Sequence, residues 1–239
     1  MKRSPVIARR ELASYFYSPI AYVVLALFLF ICGVLFFDDF QPGHIAAMRS
    51  LFEWMVFMLV FAIPVLSMGL MAQEWSNGTI ETLMTAPVEE TDVIVGKFLG
   101  SLGFFLVLLA PTLVYVLMLM IYSPSFDFGP IFSGYLGIVL VGALFIAIGL
   151  FCSSLTRSQV VAAVSAAAIL FAITIVPMWL SQRTTLGPFL RGLADQMVFR
   201  RYTDFSRGVI DTGNLVFFLA TTAAFLFFSV KVLESRRWR

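Results

Sequence analysis

Six apolar runs, none containing Asp, Glu, Lys or Arg, determine what this chain can fold into. They cover residues 20–37, 55–72, 98–122, 131–152, 160–180 and 215–230. An α-helix needs about 20 apolar residues to cross about 30 Å of hydrocarbon, so each run predicts one membrane-spanning helix. With 60% hydrophobic and 13% charged residues, the chain has more apolar surface than a soluble core can use. The sequence therefore predicts an all-α membrane protein, with residues 1–239 forming a single transmembrane domain.

The basic residues predict how these helices are oriented. Ten of the sixteen Lys and Arg residues lie at the two termini and in the second and fourth loops, and five of the other six lie within residues 181–214. Because basic residues are enriched on the cytoplasmic side of membrane proteins, both termini are expected in the cytoplasm. The first apolar run is long and is followed by no cleavage site, so we expect the N-terminus to be retained.

Two segments outside the runs predict further helices. Residues 1–19 are basic and amphipathic, which indicates a helix on the membrane surface or, alternatively, only a positively charged topology signal. The apolar face of this segment is Ala8, Leu12, Tyr15 and Phe16. Residues 181–214 predict an external hairpin of two helical pieces that dips into the outer leaflet, with its arginines among the headgroups. Its two apolar stripes are Phe189, Leu193 and Met197, then Tyr202, Phe205 and Val209.

Residues 73–97 are the longest polar interruption in the first two thirds of the chain. Turn signals at Asn77-Gly78 and Ala86-Pro87 delimit one short helix, after which a second begins, so a helix-turn-helix is predicted between the second and third spans. This short helix has one apolar stripe at i, i+3 and i+4, formed by Ile80, Leu83 and Met84. The stripe indicates an element that docks on a partner, although an ordinary solvated connector also explains these residues.

This loop resembles the loop between the second and third transmembrane helices of type-2 ABC exporter permeases. The matching residues are Glu74, Gly78-Thr79, Glu81, Leu83, Pro87-Val88 and Gly96-Lys97, whereas Trp75 and Ser76 stand where the family often has basic residues. In that family the loop forms a coupling helix that sits in a groove of a separate ATPase subunit. The resemblance therefore implies ATPase contacts by Glu74, Gly78, Thr79, Ile80, Glu81, Thr82, Leu83, Met84 and Pro87.

Other segments extend the resemblance over most of the chain. Residues 9–22 and 206–211 are similar to the gliding-motility branch of the same family. A second contact with the ATPase is implied at Thr156 and Arg157, in the turn after the fourth span. The implied partners are two copies of an ABC ATPase subunit, a second permease chain in a homo- or heterodimer, and a periplasmic or membrane accessory protein. The implied location is the inner membrane of the cell.

Small residues spaced four apart predict where two permease chains meet. They allow helix backbones to approach closely in a lipid environment, where apolar burial provides little driving force. The fifth span, with Ala163 and Ala167, is the first choice for this dimer interface, and the fourth span is the alternative. Prolines within three spans predict kinks, because each removes a backbone donor; they are Pro64, Pro111 and Pro177.

The residues indicate no catalytic or metal-binding constellation. Gly96-Lys97 lacks the upstream glycine of an ATP-binding P-loop, since Thr91 occupies that position. The spacing of Asp38, Asp39 and His44 matches no metal-ligand pattern. Both cysteines lie inside apolar runs and are interpreted as small hydrophobic residues. We therefore expect a non-catalytic chain without a metal or cofactor of its own, with ATP and Mg bound by the partner ATPase. A net charge of +2 does not favour nucleic acid as a partner.

Three functions follow from these patterns. The first is the membrane subunit of an ABC exporter, in which ATP-driven closure of the partner moves the coupling loop and alternates access to a path. The second uses the same motion to transmit force or to release a periplasmic partner without transport. The third is an ion-coupled secondary carrier, which the residues do not favour because such carriers need ionisable groups within their spans.

Overall fold

The computed structural model describes residues 4–39, 48–79, 89–122, 127–181 and 198–237. Over these residues the regular secondary structure is entirely helical, which confirms the all-α fold class. In chain order the helices are α1 (Ser4–Tyr17), α2 (Pro19–Asp39), α3 (Met48–Ser67), α4 (Gly69–Ser76), α5 (Glu90–Leu109), α6 (Leu113–Tyr122), α7 (Phe128–Leu155), α8 (Gln159–Ser181), α9 (Val198–Ser206) and α10 (Thr212–Arg237), with a 3-10 turn at Ala110–Thr112.

Six helical stretches are long and apolar enough to cross a membrane, as the apolar runs predicted. The second stretch consists of α3 and α4, and the third consists of α5, the 3-10 turn and α6. The six are Pro19–Asp38, Met48–Ser76, Glu90–Tyr122, Phe128–Leu155, Gln159–Pro177 and Thr212–Ser235.

Two of these stretches are interrupted close to a proline. Pro64 lies inside α3, which ends three residues later at Ser67. Pro111 lies in the 3-10 turn that separates α5 from α6. By contrast, α8 continues past Pro177. The first interruption is slight, because Met68 between α3 and α4 keeps helical φ and ψ of −57° and −37° and its N–H donates to the Pro64 carbonyl oxygen at 3.0 Å.

Helix α7 is the centre of the bundle. Of its most apolar window, 72% is buried, compared with 22% in both the first and the last span. Two of its glycines permit this close packing: a Cβ at Gly142 would overlap the Phe105 ring of α5, and one at Gly134 would overlap the Phe52 ring of α3. The small residues of the fourth span therefore bring helices of the same chain together.

Helix α9 packs across α7 and α8 at one end of the bundle. Its residues Val198, Tyr202 and Phe205 are buried, and the Ser133 hydroxyl of α7 donates a hydrogen bond to the Phe205 carbonyl oxygen at 2.7 Å. Tyr202 and Phe205, from the second predicted stripe, thus face other helices of the protein, whereas Val209 is exposed. The first stripe lies outside the described residues.

A polar bridge ties α9 to the start of α10. Gly208, with φ of +90°, makes the left-handed turn between the two helices. The Arg201 Nη1 donates to Asn214 Oδ1 at 3.0 Å, and Asn214 Nδ2 donates to Asp204 Oδ2 at 2.9 Å. Since Asn214 is buried, these bonds satisfy a polar side chain that would otherwise destabilise the packing.

Candidate functional site

Helix α1 lies directly against the first turns of α5. Three glycines at 96, 100 and 103 occupy one face of α5, and a Cβ at Gly96 or Gly100 would overlap side chains of α1. At Gly96 the opposing side chain is Ile7, and at Gly100 it is Glu11. The amphipathic segment is therefore a helix packed on protein, and the glycines bring its backbone close enough for its one acid, Glu11, to reach Lys97 of α5.

Lys97 is the centre of a buried group of charges. Its side chain is only 2% exposed, and its Nζ lies 2.8 Å from Glu74 Oε1 of α4 and 3.3 Å from Glu11 Oε2 of α1. Arg10 Nη2 lies 3.5 Å from the same Glu74 oxygen. We call these four residues the ion-pair cluster. Two positive and two negative charges balance within it, which is what makes the burial of an ammonium group tolerable.

Glu74 depends on this arrangement. Its Oε2 is buried and accepts no hydrogen bond from the described residues. The carboxylate charge is therefore compensated through Oε1, by Lys97 and, more distantly, by the exposed Arg10. Because Glu74 lies near the end of the second span and Lys97 lies within the first eight residues of α5, one short ion pair joins the two helices that flank the polar loop.

Tyr15 supports the ion-pair cluster from the side of α1. Its hydroxyl lies 2.9 Å from the Leu66 carbonyl oxygen and 3.2 Å from Ser101 Oγ, and its ring stacks on Phe104 at 4.7 Å between centroids. Burial raises the pKa of the Tyr15 phenol well above its usual value, so the hydroxyl remains a donor at any physiological pH. The Tyr15 hydroxyl thereby links α1 to the last residues of α3 and to α5.

Ser153 of α7 holds the beginning of α4. Its Oγ accepts hydrogen bonds from the backbone N–H groups of Met71 and Ala72, both at 3.0 Å, and donates to the Met68 carbonyl oxygen at 2.8 Å. The hydroxyl therefore fastens α4, and with it the loop, to the central helix.

A cavity of about 470 Å³ opens beside the ion-pair cluster. Glu11 and Tyr15 of α1, Gln73 of α4 and Gln159 at the start of α8 all contribute to its wall. The cavity thus adjoins α1 and α4, two of the three helices that the ion-pair cluster connects, together with the helix that begins after the fourth span.

The residues predicted to contact an ATPase divide into two groups. Glu74, Gly78 and Thr79 are described: Glu74 belongs to the ion-pair cluster, Gly78 has φ of +70° in an exposed turn, and the Thr79 hydroxyl lies 3.4 Å from the Glu74 carbonyl oxygen. The others lie outside the described residues; they are Ile80, Glu81, Thr82, Leu83, Met84 and Pro87.

The remaining predicted residues lie on α8 and in the turn before it. Arg157 is exposed and Thr156 Oγ1 accepts a hydrogen bond from the Ser158 N–H at 3.1 Å. Ala163 and Ala167 are half-buried, whereas their neighbours Ala162 and Ala166 are buried inside the subunit. In the part of the chain that the structure describes, no three His, Cys, Asp or Glu side chains are grouped as metal ligands would be.

Sequence reasoning recognised Gly96-Lys97 as a motif but did not place Lys97, Glu11 or Arg10 in a site. A usable signal was present, since Gly96, Gly100 and Gly103 repeat at the spacing that lets two helices approach closely. The glycine repeat indicates that another helix packs closely against α5. The repeat does not show that α1 is the helix that packs there.

Six helices that are long and apolar enough to cross a membrane define a multi-pass membrane protein. The model of a family described as ABC-2 family transporter protein matches residues 6–232, and the chain belongs to this family. It is accordingly the permease subunit of an ABC transporter, a class that associates with ABC ATPases and dimerises. A search of curated proteins found no match.

Proposed function

We propose that the chain is the membrane subunit of an ABC exporter driven by a separate ATPase, and that ATP-driven motion enters its helices through the ion-pair cluster. The observation that supports this is the pairing of Lys97 with both Glu74 and Glu11. It couples the two ends of the 73–97 loop to each other and to α1. In this proposal two ATPase subunits bind ATP and Mg, and segment 78–85 is the helix that docks on one of them.

The contacts of α4 and α5 suggest how a push on the loop would spread. Because Glu74 and Lys97 are paired at 2.8 Å, displacing the loop would move the last turn of α4 and the first turns of α5 together. Ser153 would transmit the motion of α4 to α7, which contacts most of the bundle. Such a connected set of rigid elements is the kind that rocks as a unit when access alternates.

Copurification tests the ATPase partnership. The full-length chain, co-expressed with a candidate ABC ATPase, is expected to retain that subunit and to stimulate its turnover in nanodiscs. ATP-dependent movement of cargo in reconstituted vesicles then tests the export direction. Failure to retain or stimulate any ABC ATPase would contradict the proposal that a separate ATPase drives this chain.

Force transmission without transport is a second candidate, and the position of α7 favours it. This helix holds α4 through Ser153 near one end and α9 through Ser133 near the other. Motion of the loop would therefore reach α9, where a periplasmic or membrane accessory protein could be held or released. The similarity of residues 9–22 and 206–211 to the gliding-motility branch agrees with this function. ATPase stimulation without vesicle transport would favour it over export.

Both termini are proposed to lie in the cytoplasm, with the chain in the inner membrane. Cysteines introduced at the exposed positions Ser14 and Arg207 are expected to react with a membrane-impermeant maleimide from opposite sides of the membrane. Cys32 and Cys152 are 0% and 1% exposed and should give little background. Labelling of both introduced cysteines from the outside would contradict the six-span orientation.

The fifth span is proposed as the interface with a second permease chain. Replacing Ala163 and Ala167 with leucine should weaken dimerisation about tenfold, because the added volume separates backbones that must approach closely. Crosslinking between copies measures the effect. The matched control is Ala220→Leu with Ala224→Leu, at the same spacing on the exposed face of α10. Unchanged crosslinking in the α8 variant would place the interface elsewhere.

A further inference from the structure

A second cavity, of about 370 Å³, lies between α3, α8 and α9. Four aromatic side chains and one carboxylate line most of it: Trp54, Phe57, Trp179, Phe199 and Glu53. The residues that line it are mostly apolar, so Glu53 is an unusual group in these surroundings. We call this cavity the aromatic pocket.

The aromatic pocket lies at the opposite end of the bundle from the ion-pair cluster. From Glu53 to Glu74 the chain runs 21 residues along α3 and α4, which at about 1.5 Å per residue is ~31 Å. This is about the thickness of the hydrocarbon layer. Trp54 and Trp179 are 47% and 57% exposed, and tryptophan is enriched at the boundary between lipid and water. The aromatic pocket therefore opens at headgroup depth.

The pairing of Glu53 leaves it available to a ligand. One carboxylate oxygen lies 3.2 Å from Arg49 Nε, one turn away on the same helix, and the two side chains are 32% and 47% exposed. An ion pair this exposed contributes little stability. A cation entering the aromatic pocket can therefore approach Glu53 at small cost, while the Arg49 guanidinium remains at the rim for an anionic group.

An apolar track leads away from the aromatic pocket along α3. Phe57 contacts Trp54 at 5.8 Å and Phe61 at 5.6 Å between ring centroids, both edge to face. Phe61 is one turn further into the membrane and is 52% exposed. A ligand with its head in the aromatic pocket would thus lay an apolar tail over Phe57 and Phe61.

We propose that the aromatic pocket binds the ammonium group of an amphiphile, with the cation against the tryptophan faces and Glu53, and the tail along α3. Aromatic faces attract cations electrostatically, and the attraction increases when water is excluded. A nearby carboxylate adds charge attraction and selects against neutral heads of the same shape. This binding site is independent of the ATPase coupling proposed above.

Choline and its neutral carbon isostere 3,3-dimethylbutan-1-ol test the requirement for a cation. Tryptophan emission of the full-length permease in maltoside detergent is expected to change saturably with choline, and the isostere should bind about tenfold more weakly. Glu53→Gln and Trp179→Ala should each weaken choline binding about tenfold. Asp38→Asn, an exposed acid outside the aromatic pocket, should leave it unchanged.

Nanodiscs of defined composition identify the source of the ammonium group. If a lipid headgroup is the natural occupant, phosphatidylcholine discs will suppress choline binding, whereas phosphatidylglycerol discs will not. If the occupant is a soluble cation without a tail, choline affinity will be the same in both discs, and this result would overturn the assignment to an amphiphile. Equal binding of choline and the isostere overturns the proposal, as does unchanged choline affinity in folded Glu53→Gln and Trp179→Ala variants.

Discussion

Leu83→Asp is expected to leave the permease inserted and folded but unable to hold its ATPase. In the proposed coupling helix Leu83 is the middle residue of the apolar stripe, between Ile80 and Met84. Truncating a desolvated anchor in an interface costs about 2 kcal/mol or more, and a buried carboxylate adds a desolvation cost. We therefore expect ATPase retention to fall about 30-fold or more, with loss of ATPase stimulation. Pull-down and turnover in nanodiscs measure the two effects.

Glu81→Ala is the control for Leu83→Asp. A charge at the rim of an interface mainly tunes the association rate and its salt dependence, so this variant should retain most of the ATPase. Normal binding and stimulation by Leu83→Asp would make the loop a passive connector and remove the main physical support for the exporter assignment.

Gly78→Val tests the turn that precedes the stripe. Gly78 has φ of +70°, and no atom lies within 4 Å of a Cβ added there. The free-energy cost of valine at this position therefore comes from the backbone conformation and not from a clash with a neighbouring residue. A left-handed conformation costs an L residue about 1–2 kcal/mol, and β-branching adds to this. ATPase stimulation should therefore fall while membrane insertion is unaffected.

Lys97→Met is expected to be the most destabilising single substitution at the ion-pair cluster. It leaves the carboxylates of Glu11 and Glu74 largely buried without their shared ammonium. Removing one partner of a buried ion pair typically costs about 3–5 kcal/mol, and the lower end applies because both glutamates retain some exposure. A lower midpoint of thermal unfolding and a loss of ATP-driven activity are the expected measurements.

Two further variants separate the contribution of Lys97 to the stability of the protein from its proposed role in coupling. Lys231→Met removes an ammonium from a pair that is also short, 2.7 Å, but 53% exposed on the lysine side, so the cost should be below about 1 kcal/mol. Adding Glu74→Gln to Lys97→Met removes one uncompensated carboxylate and should recover part of the stability. It should not recover ATP-driven activity if the ion pair transmits motion. Wild-type stability and activity in Lys97→Met would contradict both roles.

The order of residues carries a prediction for the polar loop, whose central residues 80–88 lie outside the part of the chain that the structure describes. Turn residues and apolar spacing predicted a helix between the second and third spans, and its matches to the permease family began at Glu74 and ended at Lys97. These are local features, because a turn or a capped helix depends on neighbouring residues. The contact of Lys97 with α1 was not accessible in this way, since its partner there, Glu11, lies 86 residues earlier in the chain.

The face that each helix turns toward its neighbours was equally inaccessible. Residues 181–214 read as an element immersed in the outer leaflet, yet Tyr202 and Phe205 are buried against protein. An apolar stripe has the same spacing whether lipid or another helix covers it. In the fourth span, Gly134 and Gly142 permit close approach with equal ambiguity, and the structure shows that α3 and α5 are the helices that approach.

The sequence by itself determined the six spans, the all-helical class and the position of the polar loop between the second and third spans. It did so because the free energy of placing a residue in lipid is largely a property of that residue and its near neighbours. Only the tertiary structure decided that Arg10, Glu11, Glu74 and Lys97 meet in one cluster. Their meeting depends on the rotation of α1, α4 and α5 about their axes, which is set by packing at the α5 glycines and by the Ser153 hydrogen bonds.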